Sequence, residues 1–563
     1  MNLPISHLSG PKDTPLLEKP IGEAVDDAAR LYGDQDAIVS LHQNVRITYK
    51  EQKRLTDKLA LGLIELGLKV GDRVGIWAPN CAEWTIVQYA TAKAGLILVN
   101  INPAYRLSEL EYALNKVGCR AIITAVQFKA SDYLGMLNTL APELKTASPG
   151  ALQAAQIPTL ETIITLGDGY YDGCYRYADV LELADKCNAD VLSELATKLK
   201  PDDPINIQFT SGTTGSPKGA TLSHKNILNN GLFTGERMAL TAADRICIPV
   251  PLYHCFGMVL GSLTCLMHGS AAIYPSEIFD PIATLKAVEK EKCTSLYGVP
   301  TMFVSILNAI GKESFDVSTL RTGLMAGAPC PVAVMNRVIS DMNMIDVTIG
   351  YGMTETSPLS WQTSPEDPVE RRVSTVGKVH PHVEVMVSDE NGNAVPRGVQ
   401  GELRTRGYSV MLGYWNDPER TAESVTSDGW MKTGDLGVID DEGYGNITGR
   451  VKDMVIRGGE NLFPKEIEEF LFRHPAIQDA QVFGVPDDKY GEELCAWIVL
   501  KSGQTESEES IKAFCKDQIA HFKIPRYIRM VDSFPMTVTG KAQKFEMRKA
   551  MIKELGLAEQ ETA

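Results

Sequence analysis

The stretch FTSGTTGSPKGATLSHKN, residues Phe209–Asn226, concentrates hydroxyl side chains, glycines and two lysines around one bend. Glycines let the main chain approach an anion closely, hydroxyls donate hydrogen bonds, and Lys218 supplies a compact positive charge. The spacing Gly212-x-x-Gly215-x-x-Lys218 differs from the GxxxxGK[ST] pattern of a Walker A loop. Because the run lies between the apolar PINIQF and the amphipathic LSHKNILNNGLF, it predicts a strand–loop–helix unit that binds phosphate, rather than a linker.

The composition is that of a large globular enzyme. The chain has 563 residues, too many for one hydrophobic core, so we expect about two to four domains. Hydrophobic residues make up 44% and charged residues 22% of the chain, which is ordinary for a soluble protein. The net charge of -16 argues against nucleic acid or an anionic membrane as the main partner, and it leaves room for a local anion site.

Cysteine usage and the start of the chain indicate an intracellular protein. The eleven cysteines include no CxxC pair, so we interpret them as reduced core residues. The N-terminal residues lack a basic start followed by an apolar stretch and resemble neither a signal peptide nor a transit peptide. The longest apolar region, GMVLGSLTCLMHGSAAIY, is interrupted by glycines and His268, so it predicts a buried helix and strand rather than a transmembrane segment. We therefore expect a cytoplasmic location.

Strands and helices alternate along the first part of the chain. RVGIWA, LILVNINP and RAIITA are typical of strands, and CAEWTIVQYATAKAG and SELEYALNKVG between them are typical of helices. The alternation returns at CTSLYGV, PTMFVSILNAI and LRTGLMAG. Short connections between alternating elements indicate right-handed crossovers and a parallel sheet.

The pattern changes after about Val383. VEVMVSDENGNAVPRGVQGELRTRG and GVIDDEGYGNITGR contain strands joined at glycine turns, which indicates a smaller antiparallel unit. From about Lys452 a compact tail combines the helices PKEIEEFLFRHP and SEESIKAFCKDQI with the strands IQDAQVFGVP, LCAWIVL and YIRMVD. The expected fold class is α/β: a large N-terminal domain, residues 1–451, of parallel sheets with helices plus a small antiparallel β-barrel, then a small α+β C-terminal domain, residues 452–563.

Six motifs occur in a fixed order along the chain: TSGTTGSPKG, YGMTETS, GYW, KTGDLG, GRVKDMVIRGGENLFP and TVTGKAQK. In this order they resemble the adenylate-forming superfamily, which holds acyl-CoA synthetases, adenylation domains of peptide synthetases and beetle luciferases. The resemblance runs from about residue 20 to residue 550. The segment PLYHCFGMVLG and the overall length are most similar to medium-chain fatty acyl-CoA synthetases of the acyl-CoA synthetase family member 2 type.

The resemblance implies a reaction in two halves. A carboxylate attacks the α-phosphate of ATP and expels pyrophosphate, and the thiol of coenzyme A then displaces AMP from the acyl-adenylate. Because the first step joins two anions, the protein is expected to position them and to offset their repulsion. The implied cofactors are ATP, coenzyme A and Mg²⁺.

The resemblance places several residues at the nucleotide. Tyr351 is expected to lie against the adenine, Thr354 to donate to the α-phosphate, and Glu355 to bind Mg²⁺, which takes hard oxygen ligands. Without the family, Glu355 reads as a carboxylate at the start of a helix. The β- and γ-phosphates are expected to lie against Thr210, Ser211, Gly212, Thr213, Thr214 and Lys218, and the adenine and acyl pocket against Gly327, Ala328 and Pro329.

Three further residues are expected at the ribose and the reacting atoms. Asp435 resembles the carboxylate that accepts from the ribose hydroxyls, and Arg450 resembles the arginine that contacts ribose or phosphate. Lys541 resembles the lysine that bridges the carboxylate and the α-phosphate and offsets negative charge without transferring a proton. A lysine in a tail loop is ordinarily a solvated surface charge, so this assignment depends on the motif.

The tail domain is expected to be mobile, because Lys541 serves only the first half-reaction. By alignment on GRVKD the hinge is Lys452, where many relatives carry Asp; a hinge absorbs backbone rotation and does no chemistry. After the rotation, Gly458, Gly459 and Glu460 would line the tunnel for the pantetheine chain.

His254 in PLYHCFG is the fourth residue expected to be catalytic, beside Lys541, Thr354 and Glu355. A histidine in an apolar run is usually a satisfied core residue. In the resembling family an aromatic side chain at this position gates the acyl pocket or the route of the thiol.

The sequence also limits the carboxylic acid. In the peptide-synthetase adenylation domains of the resembling superfamily, an Asp near this segment pairs with the α-ammonium of the substrate. PLYHCFGMV offers no acidic residue, so the ammonium group of an amino acid would be left unpaired in a dry pocket. Met258, Val259 and Leu263 beside the small Gly257 and Gly261 suit an apolar chain, which favours a medium-chain fatty acid.

Alternatives remain open from the sequence. They are an aryl-acid CoA ligase, a ligase that loads a separate carrier protein, a luciferase-like oxygenase, and a nucleotide sensor without catalysis. The expected partners are a small carboxylic acid, ATP and coenzyme A; we expect no nucleic-acid partner and leave a homodimer open.

Overall fold

A computed structural model describes residues 4–188, 190–210, 217–328, 330–457, 460–487, 490–516, 518–537 and 540–557, with the backbone alone at 452, 460 and 461. Two compact units can be distinguished. The larger unit comprises residues 9–385 and 405–431, and the smaller unit comprises residues 1–8, 386–404 and 432–563. The domain boundary between residues 451 and 452 stays a prediction.

The strand Pro204–Thr210, which leads into the motif TSGTTGSPKG, belongs to a mixed sheet in the larger unit. Its first six strands are parallel and its last two antiparallel. This arrangement confirms the predicted alternation of strands and helices, since RVGIWA, LILVNINP and RAIITA are neighbours in one sheet. In spatial order the described strands are Cys174–Arg176, Thr162–Thr165, Cys119–Thr124, Arg73–Trp77, Ile97–Asn100, Pro204–Thr210, Lys218–Ser223 and Gly413–Tyr414.

A second mixed sheet of the larger unit carries the YGMTETS motif. Its central strands are parallel, and antiparallel strands flank them on both sides. In spatial order the described strands are Lys378–Val379, Leu359–Gln362, Asp346–Gly352, Thr322–Ala326, Ser295–Gly298, Arg245–Cys247, Ala271–Tyr274, Asp36–Ser40 and Val45–Thr48. A short hairpin in this unit pairs Gln127–Phe128 with Ser131–Asp132.

Helices cover the sheets and separate them. The helix Ala82–Lys93 is buried at every residue except Glu83, as expected of a helix packed on all sides rather than on one face. The other described α-helices of the larger unit are Ile21–Tyr32, Tyr49–Glu65, Leu107–Val117, Tyr133–Leu140, Tyr177–Leu183, Asp190–Ala196, His224–Arg237, Thr264–His268, Pro281–Glu291, Pro300–Ile310, Val332–Met342, Val369–Ser374 and Pro418–Ser424. Short 3₁₀ turns lie at Pro142–Lys145, Ala184–Lys186 and Thr354–Thr356.

The phosphate-loop unit differs from its prediction in one element. The strand Pro204–Thr210 is followed, after the loop, by an antiparallel strand, Lys218–Ser223, and only then by the helix His224–Arg237. The predicted strand–loop–helix unit is therefore wrong at its third element. Gly219–Ser223 are buried at every residue, so the run shows no alternation that would distinguish a strand from the start of a helix.

The long apolar region folds within the larger unit as predicted. Phe256–Leu263 form a π-helix that continues into the helix Thr264–His268, and Ala271–Tyr274 form a strand. Throughout the described ranges, no helix is long and apolar enough to cross a membrane. No disulfide links the eleven cysteines.

The predicted antiparallel strands form a five-stranded sheet. The described strands run, in spatial order, His7–Ser9, Val383–Ser388, Gly401–Gly407, Met431–Ile439 and Gly445–Arg450. The strands and turns are confirmed, and the predicted barrel is not.

The tail of the smaller unit is α+β, as predicted. Its long hairpin pairs Ile477–Asp487 with Gly491–Leu500, and Tyr527–Met530 lies parallel to the latter strand. The short strands Val455–Arg457 and Glu460–Leu462 extend this sheet after a 3₁₀ turn at Val451–Asp453. The described helices are Pro464–Leu471, Glu508–Cys515, Lys544–Leu555 and a 3₁₀ turn at His521–Lys523, of which Lys544–Leu555 was not predicted.

Candidate active site

The two large sheets bring their motifs together at Glu355. Thr210 is the last residue of the strand Pro204–Thr210, and Glu355 lies in the 3₁₀ turn that follows the strand Asp346–Gly352. The Thr210 hydroxyl donates to Glu355 Oε1 at 3.2 Å. In open α/β sheets, ligands bind outside the carboxyl ends of the strands. Both motifs therefore stand where the fold class places a ligand.

Tyr414 of the GYW motif joins this contact. It lies in the edge strand Gly413–Tyr414, opposite Ala220 of the strand that begins at Lys218. Its hydroxyl donates to Glu355 Oε1 at 2.9 Å. Burial and the negative charge of Glu355 raise the pKa of Tyr414, so the phenol remains a donor. The sequence analysis does not assign Tyr414 to the site. It is present there only as part of the motif GYW, whose residues do not by themselves indicate a role.

Lys218 packs on the same tyrosine. Its ammonium lies over the Tyr414 ring, 4.4 Å from the ring centroid. An ammonium over an aromatic face is attracted by the ring quadrupole. Lys218 and the Glu355 carboxylate therefore contact the same side chain.

The surroundings of Glu355 fit a single-carboxylate metal site. Glu355 is buried, at 5% exposure of the residue, and in the described part of the chain both hydroxyl donors reach Oε1 rather than Oε2. No group of three or more His, Cys, Asp or Glu side chains that could hold a metal occurs in the described ranges. Mg²⁺ commonly takes one or two carboxylates together with water and substrate phosphates. The donor set fits a Mg²⁺ that arrives with ATP.

His254 lies beside the same motif through its neighbour. Cys255 Sγ is 3.7 Å from Thr354 Oγ1 and 3.5 Å from His254 Nδ1. The Phe256 backbone N–H donates to His254 Nδ1 at 3.1 Å. Because that nitrogen accepts, the neutral imidazole carries its proton on Nε2. Three of the predicted catalytic residues, His254, Thr354 and Glu355, are thus grouped in the larger unit.

A ladder of buried amides holds the His254 segment. Asn206 Nδ2 donates to Asn100 Oδ1 at 2.9 Å, and Gln208 Nε2 donates to Asn206 Oδ1 at 2.8 Å. Asn100 Nδ2 in turn donates to the Tyr253 carbonyl at 2.8 Å and contacts Met258 Sδ at 3.1 Å. The ladder therefore fixes the chain on both sides of His254, and buried polar networks of this kind rigidify the segment they hold.

The glycines of the apolar segment do not open space for a substrate chain. A Cβ at Gly257 would lie 2.3 Å from the Pro251 carbonyl oxygen, and one at Gly261 would lie 3.1 Å from Ile248. Their small size therefore permits close packing of the protein on itself. The sequence-based interpretation of these two residues is wrong. The apolar side chains of Phe256–Leu263 are nonetheless buried. The Phe256 ring stacks on Tyr297, with 5.9 Å between the ring centroids.

Gly327, Ala328 and Tyr351 share one edge of the second sheet. Thr322–Ala326 and Asp346–Gly352 are parallel neighbours, with Ala326 opposite Gly350. Gly327 and Tyr351 each follow those paired positions directly. Gly327 has φ of 88°, a conformation that favours glycine. The register is compatible with the predicted adenine pocket.

The smaller unit holds a second buried carboxylate. Asp435 and Arg450 are opposite each other on antiparallel strands, and Arg450 Nε donates to Asp435 Oδ1 at 2.9 Å. The Asp435 side chain is 9% exposed and that of Arg450 is 59% exposed. The Asp435 backbone N–H donates to Thr433 Oγ1 at 3.1 Å. The two residues predicted for ribose and phosphate are therefore direct partners.

The backbone of Lys541, in the smaller unit, is hydrogen-bonded to Thr537. Its backbone N–H donates to Thr537 Oγ1 at 2.9 Å, and its carbonyl accepts from the Thr537 N–H at 2.7 Å. Met536 and Ala542, the next residues outward, form a bridge. These contacts fix the backbone at Lys541, and its long side chain is half-buried.

Several predicted site residues lie outside the described residues. The roles proposed for them stay predictions, as does the hinge at Lys452, which lies in the turn Val451–Asp453 and whose side chain is not described. They are Ser211, Gly212, Thr213, Thr214, Pro329, Gly458, Gly459 and the side chain of Glu460.

Comparison with known proteins gives consistent matches along the chain. Residues 25–415 match the family described as AMP-binding enzyme, and residues 466–541 match the AMP-binding enzyme C-terminal domain. The medium-chain acyl-CoA ligase ACSF2 of Danio rerio, a mitochondrial protein, is 47% identical over 99% of this chain and 92% of its own. YngI of Bacillus subtilis is 48% identical over 96% of this chain and 99% of its own.

A solved structure extends the likeness to the fold. The anthranilate CoA ligase AuaEII in complex with anthranoyl-AMP superposes with a TM-score of 0.85 at 26% sequence identity. The match covers 97% of this chain and 99% of that chain. Sequence and fold therefore agree over nearly the whole length.

Proposed function

The chain belongs to the family of AMP-binding, adenylate-forming enzymes, and we propose that it is an ATP-dependent acyl-CoA synthetase. It would adenylate a carboxylic acid with release of pyrophosphate and then transfer the acyl group to coenzyme A with release of AMP. The observation that carries the proposal is the hydrogen bond from Thr210 to Glu355 at 3.2 Å. It joins the phosphate-loop motif of one sheet to the predicted metal carboxylate of the other.

A medium-chain fatty acid is the proposed substrate. The zebrafish relative is named a medium-chain acyl-CoA ligase. The segment 251–263 contains no acidic side chain, and its π-helix is apolar and buried, which disfavours an amino acid. An aryl acid is the second candidate, because a solved neighbour is an anthranilate CoA ligase.

In this proposal the larger unit holds the triphosphate. Thr210 and Lys218 contact the β- and γ-phosphates, Thr354 donates to the α-phosphate, and Glu355 holds Mg²⁺. When bound, Mg²⁺ would neutralise phosphate charge. Thr210 and Glu355 are already hydrogen-bonded to each other, and Lys218 already lies over the Tyr414 ring, so little reorganisation of these residues is needed at the reaction step.

The smaller unit supplies the remaining groups in this proposal. Asp435 accepts from the ribose hydroxyls, Arg450 contacts ribose or phosphate, and the Lys541 ammonium offsets charge between the carboxylate and the α-phosphate. Gly458, Gly459 and Glu460 line the route of coenzyme A after rotation about Lys452. The domain boundary at this residue belongs to the same proposal.

In this proposal His254 gates the acyl pocket or the route of the thiol. Its Nδ1 accepts from the Phe256 N–H, which fixes the orientation of the imidazole ring at that position. We further propose a cytoplasmic location, tested by cell fractionation, and a homodimer, tested by the mass of the protein in solution.

The test is pyrophosphate release with ATP and Mg²⁺ over straight-chain acids from butanoate to hexadecanoate, with benzoate as the aryl acid. Each acid is assayed with and without coenzyme A, beside Lys541→Ala. We expect the rate to peak at medium chain lengths, to require coenzyme A for continued turnover, and to fall at least about 100-fold in the variant, as for loss of a charge-stabilising donor. ATP binding without release from any acid would contradict the proposed function.

A further inference from the structure

We propose that Tyr414 is a positioning residue that orients the Glu355 carboxylate for the divalent cation bound with ATP. This inference rests on the proposed function, because it concerns the same nucleotide site. It is carried by the hydrogen bond from the Tyr414 hydroxyl to Glu355 Oε1 at 2.9 Å.

Two hydroxyls converge on a single oxygen of the carboxylate. Tyr414 and Thr210 both donate to Oε1, from two neighbouring parts of the same sheet. A carboxylate that is tethered at one oxygen by two donors is fixed in rotation about its last bond. Metal ligands are oriented in the same way by outer hydrogen bonds in general. Glu355 is therefore presented in one orientation before any cation binds.

Tyr414 is itself held rigidly by its backbone. Its N–H donates to Thr421 Oγ1 at 2.9 Å, and the next N–H, of Trp415, donates to the Gly219 carbonyl at 2.8 Å. The strand also pairs with Ala220. Removing the hydroxyl alone leaves all of these backbone contacts in place. The hydroxyl also contacts the Ser424 side chain, so it is the Mg²⁺ dependence of the effect that reports on Glu355.

The ring of Tyr414 has a second role, toward Lys218. The lysine ammonium lies 4.4 Å from the ring centroid, so the ring orients a positive charge while the hydroxyl orients a negative one. Substitution by Phe removes only the hydroxyl, and substitution by Leu removes both contacts. The pair of variants separates the two roles.

The experiment measures binding of α,β-methylene-ATP, a non-reacting analogue, by calorimetry over a series of Mg²⁺ concentrations. In Tyr414→Phe we expect the Mg²⁺-dependent part of the affinity to fall about tenfold, the usual worth of a hydrogen bond to a charged group. Affinity without Mg²⁺ is expected to stay unchanged. In Tyr414→Leu the affinity without Mg²⁺ is expected to fall as well, because Lys218 loses the ring.

Tyr408→Phe is the matched control. Tyr408 lies in the connection leading to the same strand, and its hydroxyl accepts from Asn230 Nδ2 at 3.4 Å, so we expect binding like that of the wild type. 3-Fluorotyrosine at position 414 keeps the hydroxyl and the ring, and is expected to retain the Mg²⁺ dependence. It also tests the proposal if Tyr414→Phe unfolds at a lower temperature.

Unchanged Mg²⁺ dependence in Tyr414→Phe overturns the inference. Equal weakening with and without Mg²⁺, or loss of the Mg²⁺ dependence in the fluorotyrosine protein, overturns it too, since each indicates a structural role. The proposed function fails separately: a wild type that binds the analogue with Mg²⁺ but activates no acid contradicts the synthetase, while the binding data still decide the role of Tyr414.

Discussion

Glu355 in the larger unit and Asp435 in the smaller unit are both buried carboxylates, and they are held in opposite ways. Glu355 accepts from two neutral hydroxyls, those of Thr210 and Tyr414. Asp435 accepts from the guanidinium of Arg450. The two hydroxyls orient Glu355 and do not neutralise its negative charge. The second has its charge offset within the protein.

The difference matches what each carboxylate is proposed to bind. A carboxylate held by neutral donors keeps its attraction for a cation, because hydroxyls orient it without cancelling its charge. A carboxylate paired with an arginine attracts cations less and still has lone pairs for neutral hydroxyls such as those of a ribose. The partners of a buried carboxylate thus indicate the charge of its ligand.

The strongest test of this contrast is Glu355→Gln. The amide keeps the size of the side chain but not its charge, so we expect kcat/KM for ATP to fall at least about 100-fold, as when a charge-stabilising group is removed. Pyrophosphate release measures the effect. Asp435→Asn is the matched comparison and is expected to lose less, since the ribose hydroxyls can still donate to its amide oxygen. Equal losses would remove the distinction between the two carboxylates.

The two units are also expected to respond oppositely to pH. His224 in the larger unit accepts from the Ile21 N–H at 3.1 Å, and burial lowers its pKa to about 4. The unfolded chain takes up this proton below about pH 6.5, whereas the folded unit does not. The larger unit therefore loses stability as pH falls from about 6.5 to 4, by about 3 kcal/mol in total.

In the smaller unit the sign is reversed. Burial raises the pKa of Asp479 to about 6, so the folded unit keeps a proton that the unfolded chain releases above about pH 4. Its stability is expected to fall as pH rises from about 4 to 6. Hydrogen exchange of peptides from each unit across this range measures both slopes. His224→Gln, which retains an acceptor for Ile21, is expected to flatten only the first; an unaltered slope would contradict the assignment.

The smallest expected effect concerns the ion pair between Asp435 and Arg450. Because the Arg450 side chain is 59% exposed, Arg450→Ala is expected to lower the free energy of unfolding by less than about 1 kcal/mol, as for exposed pairs. Urea denaturation measures the change. A loss of several kcal/mol would show instead that Asp435 depends on Arg450 as a fully buried charge depends on its partner, and the contrast with Glu355 would then be one of folding rather than of ligand.

The sequence predicted the elements well where local patterns determine them. RVGIWA and the following helix were recognised because apolar runs and polar connections alternate at the right lengths. The strand Lys218–Ser223 was missed because its burial on both faces hides the two-residue period of a strand. Gly257 and Gly261 were misinterpreted because a missing side chain indicates close approach, while the approaching group is visible only in three dimensions.

The site was predicted in part for the same reason. Thr210, Lys218, Thr354 and Glu355 belong to motifs, and the structure brings them together. The contribution of Tyr414 depends on the register of an edge strand that joins its sheet from about 200 residues downstream. No local pattern specifies that register, so the hydroxyl could not be assigned to Glu355 from the sequence.

The π-helix Phe256–Leu263 has a consequence for engineering this protein. At its end the Thr264 N–H reaches the Val259 carbonyl, five residues back, so each turn is wider than an α-helical turn by about one residue. Because an α-helical turn holds about one residue fewer, rewinding this segment as an α-helix without deleting a residue would rotate the chain before it by about 100°, the angle per residue of an α-helix. His254 and Cys255 stand immediately before this segment, so the direction in which their side chains point depends on the wider turn.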